Sequence, residues 1–168
     1  MKRCLMLVAA FAVALPMQAQ NPLSTEAQQS WTRTRNFIVA AAEKMPEENY
    51  SFKPAPESQS FGVLIAHTAN SAMGACSGVN GASKQAGADA AGSKAAMVTA
   101  LKAAMAECDK AYNALTDATA TNMIEGRRGA RSRLGTLYGN TIHMEHEYAQ
   151  MAVHMRLKGL VPPSSEGR

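Results

Sequence analysis

The 168-residue sequence predicts an all-α fold, a four-helix bundle preceded by a cleavable signal peptide. Three observations carry that prediction. Aromatic residues make up only 5% of the chain, while alanine is abundant and methionine occurs 11 times, a composition that suits close-packed helices better than a β-sandwich. Four stretches of about twenty residues repeat apolar side chains at the helical period. No stretch reads as a β-hairpin or as an internal repeat. The length fits one domain with a proper core, assigned to residues 21–168.

Residues 1–20 stand apart from that domain. Lys2-Arg3 supplies a positive start, Leu5 to Leu15 is an unbroken apolar run, Pro16 breaks it, and Gln18-Ala19-Gln20 offers a cleavage point. The run is short for a bilayer span, and no later segment approaches the roughly 18 apolar residues a span requires. An uncleaved membrane anchor is the alternative. Cys4 precedes the apolar run, which argues against a lipoprotein. The expectation is a periplasmic or secreted protein with no membrane contact after signal cleavage.

The first helix is expected from Ser24 to Lys44, with Ser24, Thr25 and Glu26 as a cap-competent start and Trp31, Ile38 and alanines 40–42 on its buried side. Met45-Pro46 ends it, because the residue before proline is pushed out of helical geometry. A proline-bearing connector, 47–56, follows. The second helix begins near Ser58 or Ser60, and Phe61, Leu64, Ile65, Thr68 and Ala72 form its apolar stripe. Residues 78–93 hold almost no core-forming side chains and read as a flexible loop. The third helix covers Ser93 to Leu115, with Val98, Leu101, Met105, Cys108, Tyr112 and Leu115 at helical spacing. After a polar loop from Thr116 to Ala130, the fourth runs from Ser132 to Lys158. Gly159 is its left-handed cap and Pro162-Pro163 lies beyond.

Charge and cysteine usage narrow the function classes. Signal cleavage removes Lys2 and Arg3, so the net charge of +4 becomes +2, too small to imply nucleic acid as a partner. The cluster Arg127, Arg128, Arg131 and Arg133 reads as a solvated loop and helix start. The mature chain keeps Cys76 and Cys108, an even number in an oxidising compartment, which favours a disulfide over two buried thiols if their helices are neighbours.

Chemistry concentrates in the last helix, which carries three of the four histidines. His143 and Glu147 lie four apart, so on a helix they stack on one face and can reach one metal ion. His67, the histidine outside that helix, sits in an apolar stretch of the second and could supply a third ligand. The pattern alone is weak. His67 as a hydrogen-bonded core residue, with Met144 to Glu147 as a polar face, explains it equally simply. His146 points about 60° away and reads as solvent-facing, or as an alternative ligand if the helix adjusts locally. His154 shares the side of His143 but lies roughly 16 Å along the axis, which suits pocket lining.

The chain resembles the DinB-like family of metal-dependent four-helix-bundle proteins, in particular its exported members. The resemblance runs through Ala42-Glu43-Lys44-Met45-Pro46-Glu47, Tyr50-Ser51-Phe52-Lys53-Pro54, Ser60-Phe61-Gly62 leading to Ala66-His67, Cys76, Cys108-Asp109-Lys110-Ala111-Tyr112, Tyr148-Ala149-Gln150, and Met155-Arg156 on to Ser164-Ser165. It implies a metal held by one histidine on the second helix and two, four apart, on the last. Carried over by motif these are His67, His143 and Glu147. Glu147 departs from the family: similar members read Glu-His before the Tyr-Gly-Asn segment, whereas this chain reads His146-Glu147 before Tyr148-Ala149-Gln150. Two histidines and a carboxylate still form a known ligand set, for zinc first and for nickel or iron next.

The resemblance implies hydrolysis, or thiol transfer or isomerisation, on a small-molecule substrate that the sequence does not identify. Glu145 or Glu147 could serve as a general base if it is not a ligand. The alternative is a non-enzymatic helical module that stores or senses a metal, binds a small apolar ligand, or forms a homodimer through a helix face.

Overall fold

The computed structural model describes residues 21–126 and 129–167. The signal-peptide reading of residues 1–20, Cys4 included, lies outside the described residues, as do Arg127 and Arg128 of the basic cluster.

Four helices form where the apolar period placed them: α1 (Pro22–Lys44), α2 (Phe61–Val79), α3 (Lys94–Asn113) and α4 (Arg133–Leu157). Three of them start on a serine. The hydroxyls of Ser60, Ser93 and Ser132 accept the backbone N–H three residues on, at 3.3, 3.2 and 3.0 Å. Each such cap is worth about 1 kcal/mol. At the other end of α4, Gly159 takes φ +72°, its N–H donates to the Arg156 carbonyl and that of Leu160 to Met155, closing a Schellman motif.

α1 begins earlier than expected and is capped from a distance. Ser24 is buried in the first turn, behind Pro22, and so does not act as the cap. The Asp117 carboxylate, from the loop after α3, instead accepts the N–H groups of Ser24 at 2.8 Å and Leu23 at 3.2 Å. Asp117 in turn donates its own N–H to the Asn21 side chain at 3.0 Å. Desolvation opposes ionisation of Asp117, but these N–H bonds outweigh it and hold its carboxyl below the ordinary range.

A second departure is a short antiparallel pair, β1 (Met123–Ile124) with β2 (Arg131–Ser132), in the loop read as purely polar. Two residues per strand are too few to write an alternating pattern into a sequence. Its structural effect is to lead the chain into the Ser132 cap of α4.

Each helix packs chiefly on two others: α2 on α3 and α4, α1 on α4 and α3. Trp31 of α1 stacks on Tyr112 of α3 at 4.7 Å between ring centres, and the Tyr112 hydroxyl donates to the Leu137 carbonyl of α4 at 2.6 Å. One aromatic pair thereby joins three helices. Cys76 of α2 and Cys108 of α3 form a disulfide, with Cα atoms 4.8 Å apart, as the parity argument expects. No helix among the described residues is long and apolar enough to cross a membrane.

The loop read as 78–93 starts at Asn80, because Gly78 and the buried Val79 complete α2, and it is held both by Ala86 and Ala88 packed against the core and by polar side chains. Asn70 of α2 exchanges two hydrogen bonds with the backbone of Ala88, at 2.9 and 3.1 Å. Glu107 of α3 is 5% exposed and accepts from Lys84 at 2.8 Å and from Asn80 at 2.8 Å, with Lys110 at 3.4 Å. The hydrogen bond from Lys84 leads the causes that pull the Glu107 carboxyl from 4.5 down to about 2. A carboxylate depressed by folding contributes stability above its unfolded pKa and loses it as pH falls through the folded value. Stability is therefore expected to decline between about pH 4.5 and pH 2, and Glu107→Gln should flatten that limb in acid titrations followed by circular dichroism. An unchanged limb would refute the assignment.

Candidate metal centre

α2 and α4 run side by side, and the three sequence-selected residues meet between them. His67 reaches across from α2 so that its Nε2 lies 3.1 Å from Nε2 of His143 and 3.7 Å from Oε1 of Glu147. Within α4, Nδ1 of His143 is 3.8 Å from the same carboxylate oxygen, the one-turn stacking that i and i+4 produce. One donor atom from each of the three falls within 4.8 Å of the other two. Around a four-coordinate ion with bonds of 2.0–2.1 Å, donors stand about 3.3 Å apart, so the set with one atom per residue, which reaches 4.8 Å, would draw in modestly around an ion.

Burial differs sharply across the cluster. The His67 and His143 side chains are 46% and 38% exposed, whereas that of Glu147 is 5% exposed. The cluster is thus open to solvent on the histidine side and closed beneath the carboxylate. Partial burial pushes the His143 imidazole below its ordinary pKa, with His67 and His146 adding to the effect and Glu147 opposing it. A neutral ring is the form that ligates metal.

Glu147 is the informative residue. A buried carboxylate requires compensation. Glu107, the other deeply buried carboxylate, has two lysines and an asparagine. Among the described residues, Glu147 has two imidazoles beyond 3.5 Å and a hydrogen bond from Gln150 at 3.4 Å, and no lysine or arginine within ion-pair distance. A divalent cation on the histidine side would supply the missing positive charge, so the donor set and its electrostatics both suit a metal.

The remaining sequence candidates fall elsewhere. His146 is exposed and outside the cluster, as helix geometry requires. His154, expected to line a pocket or to ligate, is buried among core residues. Its Nδ1 faces the Gln150 carbonyl at 2.9 Å and its Nε2 the Gln59 carbonyl at 3.0 Å, between the rings of Phe52 and Phe61. Each nitrogen lies within hydrogen-bond distance of a carbonyl, and whichever carries the proton donates, so His154 fits at the junction of α4 with the segment leading into α2. Glu145 points to the α1 side of α4, where Thr34 donates to it at 3.2 Å and Arg33 lies 3.6 Å away, and it is not placed to act as a base at the cluster. Two neighbours that sequence reasoning did not select are Gln150 on the carboxylate and Ser71, whose hydroxyl lies 3.4 Å from Nε2 of His67. Both sit at helical spacing from a ligand, Ser71 four residues past His67 and Gln150 three past Glu147, which is the signal that would have found them.

A separate groove of about 580 Å³ opens between α1 and α4, lined by Leu23, Ala27, Ser30, Leu134, Tyr138 and Ile142 among others.

The fold is shared with solved bacterial proteins. A DinB-like protein from Bacillus cereus ATCC 10987 is similar at a TM-score of 0.67 and 20% identity, over 83% of this chain and 95% of that one. A conserved protein from Enterococcus faecalis is similar at a TM-score of 0.65 and 14% identity, over 83% and 98%. No curated protein sequence matches this chain. The family model of the DinB superfamily matches residues 30–151, which take in all three clustered residues and most of all four helices, and the chain belongs to that superfamily.

Proposed function

We propose that the chain is an exported DinB-like bundle that binds a divalent transition metal, zinc before nickel or iron, through His67, His143 and Glu147. The observation that carries this reading is the buried Glu147 carboxylate, which faces two imidazoles and no cationic side chain. Export is supported by the leader pattern of residues 1–20 and by the Cys76–Cys108 disulfide, which persists in oxidising compartments.

Three protein ligands on an open face leave a position for substrate, which favours a metal-dependent hydrolase or a thiol transferase or isomerase acting on a small molecule. A divalent ion bound there supplies a Lewis acid that lowers the pKa of a water or thiol it holds. The residues themselves orient the ligand set: Gln150 steadies one oxygen of Glu147, and the tight α2–α4 contact fixes the histidines. A second reading, a non-enzymatic module that binds a small apolar ligand or a second copy of itself, is favoured by the α1–α4 groove and the half-exposed Leu23, Tyr138 and Ile142 at its edge.

Elemental analysis and zinc titration of the mature chain test the proposal. Zinc should bind at one equivalent, and Glu147→His should tighten it, because imidazole suits zinc well. A mature chain that purifies without metal and takes up none in titration would leave the bundle without this function.

A further inference from the structure

Arg131 lies beside the cluster without belonging to it. The residue sits in β2, ahead of α4, yet its guanidinium reaches back along the helix. Nη2 donates to the Gly135 carbonyl at 3.0 Å, and a Cβ placed on Gly139 would stand 3.3 Å from Nη1 and 3.5 Å from Nη2. The guanidinium therefore rests against the helix at Gly139, where a Cβ would make a close contact with it. Gly139 is one turn before His143, about 6 Å along the axis and about 40° round it toward solvent. The surface across from it is open. α2 runs antiparallel to α4, with His67 beside Glu147 and Gln59 beside His154, a register that brings Gly74 opposite Gly139. A Cβ at Gly74 or Gly78 would meet nothing within 4 Å.

The charge on Arg131 is unspent. Arg33 and Arg35 pair with Glu145 and Asp109, but among the described residues no carboxylate lies within ion-pair distance of Arg131. One of its five N–H groups goes to the Gly135 carbonyl and the fork of the others is available for an anion. The facing turns, 71–78 and 135–146, contain no lysine or second arginine. The guanidinium fork fits a carboxylate or a phosphate, but one positive charge balances the single charge of a carboxylate and leaves a phosphate dianion with excess charge.

We infer that Arg131, held over Gly139, is the binding residue for a carboxylate on the ligand of the metal centre, so that the ligand class is a small molecule with a carboxylate about one helical turn from the atom that meets the ion. This rests on metal binding by His67, His143 and Glu147 as proposed above, and the test separates the two.

The mature chain is loaded with cobalt(II), and its visible spectrum is titrated with succinate and with acetate. Succinate can reach both the ion and Arg131, whereas acetate can reach only one. Succinate should bind at least about tenfold more tightly than acetate, the gain expected of one added charge-assisted pair. Arg131→Ala should remove that advantage and leave cobalt affinity unchanged. Gly139→Ala asks the guanidinium to give by only a few tenths of an ångström, so it should keep most of the advantage. Equal affinities for the two acids in the unaltered chain, or an advantage that survives Arg131→Ala, overturns the inference. So does a loss of cobalt affinity in Arg131→Ala, which would mark the side chain as a structural clamp. Failure of the unaltered chain to bind cobalt or zinc overturns the metal reading itself, and this inference with it.

Discussion

His67→Ala is expected to abolish zinc binding, with affinity falling at least about 1,000-fold, since removing a direct ligand should exceed the 10–100-fold cost of losing an outer-shell partner. The geometry explains the size of the effect. His67 is the α2 member of a cluster whose other two members share one helix, and its Nε2 lies within 3.7 Å of both partners' donor atoms. Without it the remaining pair offers one imidazole and one carboxylate. A companion variant gives the sign that a purely structural cluster would not. Glu147→Gln removes a buried, poorly compensated charge, so in chelator the variant should melt higher than the unaltered chain. The same variant should gain little stability from added zinc, whereas the unaltered chain gains in proportion to the logarithm of free zinc. Melting curves with and without zinc decide the matter. If Glu147→Gln melts lower in chelator, the carboxylate is already satisfied within the bundle and the case for an ion weakens. If His67→Ala binds as before while His146→Ala does not, the ion is real and the ligand set is wrong.

The second large effect concerns the Cys76–Cys108 disulfide. It closes a loop across a sequence separation of 32, for which chain entropy alone gives about 3.5 kcal/mol. Replacing both cysteines by alanine, or reducing the bridge, should lower the melting temperature by ~10 °C for a domain of this size. The α2–α3 contact is the most extensive in the bundle, and both sulfurs are fully buried within it, so the reduced chain should still fold. Thiol titration of the unfolded mature chain that finds two free cysteines contradicts the bridge outright.

Much of this was legible before any coordinates. The stripe from Phe61 to Ala72 is buried as read, and so is that from Val98 to Leu115 except for the half-buried Val98, because apolar periodicity records which face of a helix is covered. The α4 half of the cluster was legible too, since i and i+4 placement follows from helical geometry alone, whereas His67 stayed open on the residues and came through the family resemblance. Apart from the strand pair, too short to leave a pattern, the errors share one cause. The cap of α1 comes from Asp117, more than ninety residues away; His154 lies against the Gln59 carbonyl; the 80–93 loop is held in part by Glu107. Each depends on a partner that only the folded chain brings close, and a local window carries no trace of it. Arg131 is a milder case. Its charge is visible in sequence, but its placement over Gly139 depends on how β2 enters α4.

The placement of the ligands on α2 and α4 has a bearing on when an ion can be acquired. His67 and His143 are 76 residues apart, with the α2 connector, all of α3 and the strand pair between them. An unfolded chain brings such distant donors together rarely, since loop closure carries an entropic cost. The disulfide-linked pair α2 and α3 can form without α4, but the cluster exists only after α4 has docked. Capture of an ion by the proposed site would then be a late event, coincident with closure of the bundle, since the two-residue half on α4 would at most be a weak chelator. An ion bound there would be drawn from those present where the chain completes folding, with ligand type and geometry as well as availability deciding which one is taken.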